Sequence, residues 1–315
     1  MLFYFLLLCC PLAAWTAPWI GNQSPESIYL VCVAGIFFCA GLQIDRTAFS
    51  DTQRHLRAAL AIQTGSFILM PLLALLLLWI LFPRIGIPSS YTIGILFTAM
   101  LPVTTTSCGA FCQLAKVPPL DAVMNAIVGN MLGLAVLPFL VPLLLMNTDS
   151  DPYGAMRGAM TQVGLFVFVP LVLGYFLGLR SFFKGWNIRT VSQALLLWII
   201  YRCYCKSFSI LYGSDESGLY PLFFGMLIFH GLGNLISLAI GYFFHFDGDT
   251  RMVFLFTIPQ KTIVLGLPLA AALANSGQNQ ALWLALVMPL LMYNNIQYLV
   301  GGTIAWINGR KAIYE

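Results

Sequence analysis

The sequence predicts an all-α membrane protein with ten transmembrane helices arranged as two inverted five-helix repeats. Three observations carry this expectation: an apolar composition, ten hydrophobic segments joined by short connections, and one motif that recurs at half the chain length. Of 315 residues, 60% are hydrophobic and 8% are charged, with a mean hydropathy of +0.87. Soluble proteins average roughly 25% charged residues. A span needs about 20 apolar residues, so the chain has room for about ten helices and for no sizeable soluble domain. The net charge of +4 is dispersed rather than gathered into a stripe, which excludes a nucleic-acid partner.

The segments lie roughly at 1 to 19, 27 to 43, 58 to 82, 91 to 115, 121 to 146, 160 to 180, 191 to 212, 219 to 245, 250 to 275 and 281 to 307. They are separated by ordinary turn signals: Gly21-Asn22, Pro83 to Ser90, Pro118-Pro119, Asp149 to Gly154, Gly213-Ser214-Asp215 and Asn275 to Gln280. The first segment lacks the basic n-region of a signal peptide and reads as a retained helix. The whole chain is expected to form one membrane domain, with a first repeat over 1–158 and an inverted second repeat over 159–315.

Loop charge sets the orientation. The even-numbered connections and the C-terminus hold Arg46, Arg54, Arg57, Lys116, Arg180, Lys184, Arg189, Arg251, Arg310 and Lys311, whereas the odd-numbered ones hold only Arg84 and Arg157. Basic residues accumulate on the cytoplasmic side, so both termini are placed in the cytoplasm. The remaining three, Arg202, Lys206 and Lys261, fall within predicted helices. With five helices per half, the second half enters from the opposite side and the repeat is inverted.

The repeated motif is Pro-x-x-Thr-x-x-x-Gly, at Pro102-Thr105-Gly109 and Pro259-Thr262-Gly266, with the copies 157 positions apart. Phe97 falls opposite Phe254 in the same register. Proline removes a backbone donor and clashes with the preceding turn, so Pro102, Gly109, Pro259 and Gly266 mark expected breaks in helices four and nine. Broken helices at matching places in two halves point to a transporter's binding site.

The residues around the breaks carry the candidate chemistry. All eleven acidic residues fall in loops, at helix ends or at the C-terminus, which leaves hydroxyl, amide and carbonyl oxygens as cation ligands at mid-membrane depth. Thr104, Thr105, Thr106 and Ser107 follow the first proline directly. Isolated Ser and Thr often bond back to their own helix, but four in a row after a proline fit an unwound segment whose free backbone groups need partners. The second break offers Gln260, Lys261 and Thr262. A lysine at the centre of a span costs about 2.5 to 3.5 kcal/mol on insertion scales. Lys261 follows Arg251 by about ten residues, roughly 15 Å along a helix, too deep to snorkel easily. It reads as a substrate-facing cation, as a stand-in for a bound metal ion, or as the titrating group of a proton-coupled cycle.

Helices five and ten add the amides Asn125, Asn130, Asn294, Asn295 and Gln297, either helix-packing groups or members of a shared polar centre. Arg202 and Lys206 share one face of helix seven and suit a structural interface or a headgroup as well as a substrate. His230 reads as a packing residue. The eight cysteines all sit in apolar stretches and behave as small hydrophobes. Cys203-x-Cys205 lacks a histidine partner for a metal. Nothing pairs a nucleophile with a base, so an enzyme is not expected.

These residues resemble the bile acid:sodium symporter superfamily, in particular the branch of solute carrier family 10 member 7 and its bacterial and fungal relatives. The resemblance rests on Phe37 to Leu42 in helix two, Leu101 to Ser107 at the first break, and Asn125 to Pro138 with its Leu132-Gly133 step. It continues through Ile200-Tyr201 to Phe208-Ser209, Lys261 to Pro268, and Pro289 to Tyr293. It implies panel and core domains, with broken helices four and nine crossing in the core, and substrate reached alternately from either side. It further implies sodium ions bound behind the crossing, for which Thr105, Ser107, Asn125 and Gln260 are the matching ligands. Where the bile acid carriers have a glutamate in helix nine, this chain has Gln260-Lys261. The expected function is secondary transport of a small organic anion coupled to sodium or protons, at the plasma membrane. The alternative is a regulator of calcium homeostasis that does not carry bile acids. No cofactor is implied beyond bound sodium.

Overall fold

The computed structural model describes residues 2–42, 56–143, 157–158, 160–161, 164–178, 187–211, 218–274 and 279–314. All regular elements among them are helical. The turns at 149–154 and 213–215, the basic residues Arg46, Arg54, Arg180 and Lys184, and residue 159 at the start of the expected second repeat lie outside the described residues.

The N-terminal segment divides into α1 (Leu2–Thr16) and α2 (Pro18–Asn22). Pro18 opens α2 at its first position, where a missing N–H costs nothing. The next helix, α3 (Glu26–Leu42), places Glu26 in its first turn, where a carboxylate complements the helix dipole. The third segment is α4 (Leu56–Ile80), which widens by one residue over Gly65–Leu69, where the Met70 N–H reaches back to the Gly65 carbonyl. Pro71 lies two residues beyond the wide turn. The extra residue moves a carbonyl out of the way of the proline ring.

Beyond it come α5 (Thr92–Met100), α6 (Thr105–Leu114) and α7 (Leu120–Leu143). The helix α8 (Gly164–Gly178) repeats the wide turn over Gly164–Phe168, again two residues ahead of a proline, Pro170. The remaining helices are α9 (Ile188–Leu211), α10 (Leu219–Phe243), α11 (Gly248–Leu255), α12 (Ile263–Leu273) and α13 (Gln280–Tyr314). Among the described residues, five helices are long and apolar enough to cross a membrane: Leu56–Ile80, Leu120–Leu137, Thr190–Leu211, Leu219–Phe243 and Gln280–Arg310. Further apolar helices are shorter. With so many apolar spans, this is a multi-pass membrane protein.

The chain divides into two compact units, each drawing on both halves of the sequence. The first unit comprises Met1–Asp45, Pro138–Glu216 and Val264–Leu291. Within it α3 and α8 pack almost backbone to backbone: a Cβ on Gly41 would overlap the Leu171 carbonyl, and one on Gly174 the Phe38 carbonyl. Such close approach of small residues is how membrane helices gain packing energy without a hydrophobic drive. The α9 helix lies against α1, α2 and α3. Its Tyr201 hydroxyl donates to the Ala17 carbonyl at 2.5 Å, satisfying a group freed where α1 ends. Arg202 forms an ion pair with Glu26 at 2.8 Å.

The second unit comprises Arg46–Leu137, Ser217–Ile263 and Met292–Glu315. Here α10 packs on α4 and α11. Gly65 lies against Ile258, and Gly233 against Met70 and Pro259. The Phe111 ring sits between Phe256 and Tyr298, at centroid distances of 5.8 and 6.2 Å.

Two expectations need correction. Lys261 does not lie within a helix but in the non-helical stretch between α11 and α12. Gly109 and Gly266 are not part of the breaks, because helix has already resumed at Thr105 and Ile263. The role of Gly109 is packing, since a Cβ there would press on the Val123 side chain.

Candidate functional site

Two helix interruptions meet in the second unit. The first opens at Leu101, whose backbone turns extended (φ −64, ψ 148), and closes at Thr104 (φ −80, ψ 122), which precedes α6. The second runs from Phe256 to Thr262, between α11 and α12. Proline explains each, since neither Pro102 nor Pro259 can donate to the turn before it. The backbone groups thus released are buried and need partners.

Three successive carbonyls of the first interruption each find a different donor. The Leu101 carbonyl accepts from Lys261 Nζ at 2.9 Å. The Pro102 carbonyl accepts from the Thr262 N–H at 2.8 Å. The Val103 carbonyl accepts from Asn130 Nδ2 at 2.9 Å, and the same amide reaches Thr105 Oγ1 at 3.2 Å and the Ala126 carbonyl at 2.7 Å. Two of these donors come from the other interruption, so each break partly satisfies the other.

The second interruption is closed from α13. The Gln297 side chain accepts from the Lys261 N–H at 2.7 Å and donates to the Lys261 carbonyl at 2.9 Å, as a neighbouring β-strand would. It also donates to Asn294 Oδ1 at 3.3 Å. Tyr293 donates its hydroxyl to the Pro259 carbonyl at 2.5 Å and lies 3.1 Å from His230 Nδ1. Because the tyrosine proton is committed to Pro259, His230 is assigned the tautomer with hydrogen on Nδ1. Its Nε2 is then a bare, buried acceptor with no partner. His230 is thus a packing residue that also steadies the break.

Lys261 is fully buried. Its ammonium donates to the Ser66 carbonyl at 2.8 Å, to Ser66 Oγ at 3.1 Å and to Leu101, which uses all three of its donors. The Ser66 carbonyl is available for a local reason. In the wide turn of α4 the residue placed to bond it is Pro71, which has no N–H. Among the described residues no carboxylate pairs with Lys261. A buried charge without a counter-charge is costly, and here only neutral oxygens solvate it, the ligand type that suits a small cation.

Several side chains of the second unit keep buried polar atoms without hydrogen-bond partners: Gln63 Oε1, Ser107 Oγ, Asn125 Oδ1, both amide atoms of Gln260, and Asn294 Nδ2. Such atoms are few in native proteins. Gln63 donates its own amide to the Asn125 carbonyl at 2.9 Å, and Asn125 donates to the Asp121 carbonyl at 2.8 Å. In each case the donor end is anchored and the oxygen end is left over. Gln260 lies against α13 at Gly301, where an added Cβ would meet its Nε2 at 3.1 Å. Ser107, Asn125 and Gln260 each keep a buried oxygen with unused acceptor capacity, and Thr105 Oγ1 has acceptor capacity beyond its bond from Asn130.

The breaks and their amides thus bring Thr105, Asn130, Lys261, Thr262 and Asn294 into one hydrogen-bonded assembly. Thr104 is buried and precedes α6. Asn295 is half-buried on α13, and the side chain of Thr106 lies outside the described part. Sequence reasoning missed Ser66 and Tyr293 and gave Gln297 no particular role. Gly65-Ser66 ahead of Pro71 was the available signal for the first.

Residues 1–308 match the SBF-like CPA transporter family. The chain is 26% identical over 320 residues to sodium/bile acid cotransporter 7-B of Xenopus laevis, covering 95% of this chain and 90% of that one. It is 25% identical over 313 residues to sodium/bile acid cotransporter 7 of Mus musculus, covering 92% and 87%. An uncharacterised protein of Pseudomonas aeruginosa is 27% identical over 287 residues, covering 88% and 82%. Among the described residues no group of three or more His, Cys, Asp or Glu is placed to hold a metal ion. The chain belongs to the SBF-like CPA transporter family and is a multi-pass secondary transporter of the bile acid:sodium symporter type, a carrier rather than an enzyme.

Proposed function

We propose that the chain moves a small organic anion across the plasma membrane by alternating access, coupled to sodium, with both termini in the cytoplasm. On this reading the fold is one membrane domain of ten transmembrane helices in two inverted repeats, 1–158 and 159–315, with panel and core domains and crossing breaks in the core. The observation that carries it is the set of buried oxygens without partners, Ser107 Oγ, Asn125 Oδ1 and Gln260 Oε1, beside two interruptions joined through Lys261 and Thr262. Two relatives named as sodium/bile acid cotransporters support sodium as the coupling ion.

Lys261 serves as a fixed cation that stands in for a bound metal ion. Its three donors are all spent on protein oxygens, which favours that role over direct contact with substrate. Sodium is then held by Thr105, Ser107, Asn125 and Gln260. The substrate is received near the breaks by Thr104, Thr106, Thr262, Asn294 and Asn295, with Asn130 holding the first break in shape.

Uptake of a panel of organic anions, bile acids included, into proteoliposomes with and without an inward sodium gradient tests this reading. Gradient-driven accumulation of at least one anion is expected. If no anion moves, and deletion of the protein alters cellular calcium, the regulator of calcium homeostasis takes its place. Accumulation driven by a pH gradient and indifferent to sodium would replace sodium with protons.

A further inference from the structure

Pro71 lies well inside α4, where proline is the least favoured of all residues. A membrane helix tolerates it when neighbouring groups satisfy the backbone atoms it frees. In a regular α-helix the Ser66 carbonyl would accept from the Met70 N–H, four residues on. In the wide turn that N–H goes to the Gly65 carbonyl instead, and the next residue, Pro71, has none to give. The Ser66 carbonyl is left without a helical donor in a fully buried residue, and a buried carbonyl demands a partner. The Lys261 ammonium is that partner, at 2.8 Å from the carbonyl and 3.1 Å from Ser66 Oγ.

The wide turn meets the second break at further points. A Cβ on Gly65 would touch three carbons of Ile258 at 2.9 to 3.0 Å, and one on Gly233 would meet both Met70 and Pro259. Removing the extra residue of the turn would rotate one side of α4 against the other by about 100°, so the contacts of Gly65 and Ser66 with the break depend on it.

The same spacing recurs in α8, where Gly164, Phe166 and Pro170 match Gly65, Phe67 and Pro71 and again give a wide turn. There the residue in the place of Ser66 is Leu165, which has no hydroxyl and is 58% exposed. Turn and proline go together in both helices; a hydroxyl is added in α4, where an ammonium is held. We propose that Pro71 is a positioning residue of the carrier: by withholding an N–H it reserves the Ser66 carbonyl for the Lys261 ammonium and so fixes the charge beside the first break. Its use in transport rests on the reading of Lys261 as a fixed cation, whereas the reservation itself does not.

Pro71→Ala supplies the missing donor. A helical N–H then competes for the carbonyl, and the ammonium loses one of its two carbonyl acceptors. A thermal double-mutant cycle on the purified full-length chain tests this without a transport substrate. Pro71→Ala is expected to lower the melting temperature of the otherwise unaltered chain and to raise it in Lys261→Met, where the new N–H satisfies an orphaned carbonyl. Pro170→Ala, the matching change in α8, is expected to shift both backgrounds equally. The ester analogue of Pro71→Ala, with lactic acid at position 71, lacks the N–H as proline does and is expected to abolish the reversal of sign. An equal shift for Pro71→Ala in both backgrounds, or a reversal that the ester analogue retains, overturns the proposal. Sodium-driven anion uptake by Pro71→Ala is expected to fall about tenfold and to return in the ester analogue. Uptake by Pro71→Ala equal to that of the unaltered chain overturns the positioning role, whereas no uptake by the unaltered chain strikes the proposed substrate and coupling alone.

Discussion

Gln297 and Lys261 are joined by a pair of hydrogen bonds, one to each backbone group of the lysine, at 2.7 and 2.9 Å. One side chain on an intact helix thereby does for an unwound segment what a helical turn would have done. The ammonium of the same lysine is then free to bridge Ser66 and Leu101.

Replacing Gln297 with methionine keeps the bulk and removes both bonds. Each orphaned buried backbone group costs about 1–3 kcal/mol. Gln297→Met is therefore expected to lower the melting temperature markedly and to abolish uptake, as read by differential scanning fluorimetry and a proteoliposome assay. An unchanged melting temperature would remove Gln297 from the account.

Asn130 performs the matching task at the first break. Asn130→Asp is close to isosteric but, when ionised, cannot donate to the Val103 carbonyl. The expected loss is again about 1–3 kcal/mol, measured by the same melting assay. Asn130→Asp as stable as the unaltered chain would show that the donor is dispensable.

The close crossing of α3 and α8 leaves no room for a side chain at Gly41 or Gly174. Overpacking of this kind costs about 1–3 kcal/mol. Gly41→Val and Gly174→Val are each expected to reduce the yield of monodisperse protein, whereas Gly158, which has open space around its Cβ position, accepts alanine without loss. Size-exclusion profiles of the three variants check this.

Asp247 caps α11, accepting from the Thr250 N–H at 3.2 Å and from its hydroxyl at 2.6 Å. These bonds, the hydroxyl's above all, hold the carboxyl below its ordinary value of 3.8. A pKa depressed by folding gives stability that is present above the unfolded value and lost as pH falls through the folded one. Asp247→Ala is expected to cost about 1 kcal/mol at neutral pH. Melting curves of the two proteins should converge only below pH 3.8. Convergence near neutral pH would contradict the assignment.

How much of this was legible in the sequence follows from the kind of information each feature carries. Pro102 and Pro259 announce breaks because proline acts on its own helix, and the run from Thr104 to Ser107 announces polar demand beside one of them. Lys261 announces a buried cation because its depth can be counted from Arg251. Partners are another matter. Ser66 is 195 positions from Lys261, and its carbonyl is exposed to the ammonium only because α4 widens ahead of Pro71. Hydropathy cannot see that change of helical register. The choice of Gln297 over its neighbours Asn294 and Asn295 depends on the rotation of α13, which three amides within four residues leave ambiguous. Gly109 reads as a breaker in the motif but admits Val123, because glycine in a sequence looks alike whether it bends the chain or makes room for a neighbour.

Sodium binding and the charge of Lys261 are linked in the proposed transport cycle. Equilibrium binding of radiolabelled sodium to the purified unaltered chain and to Lys261→Gln tests both without knowledge of the substrate. Saturable binding is predicted in the unaltered chain, with more ions bound per chain once the fixed ammonium is removed. No saturable binding in either protein, or the same number of ions in both, would contradict the account.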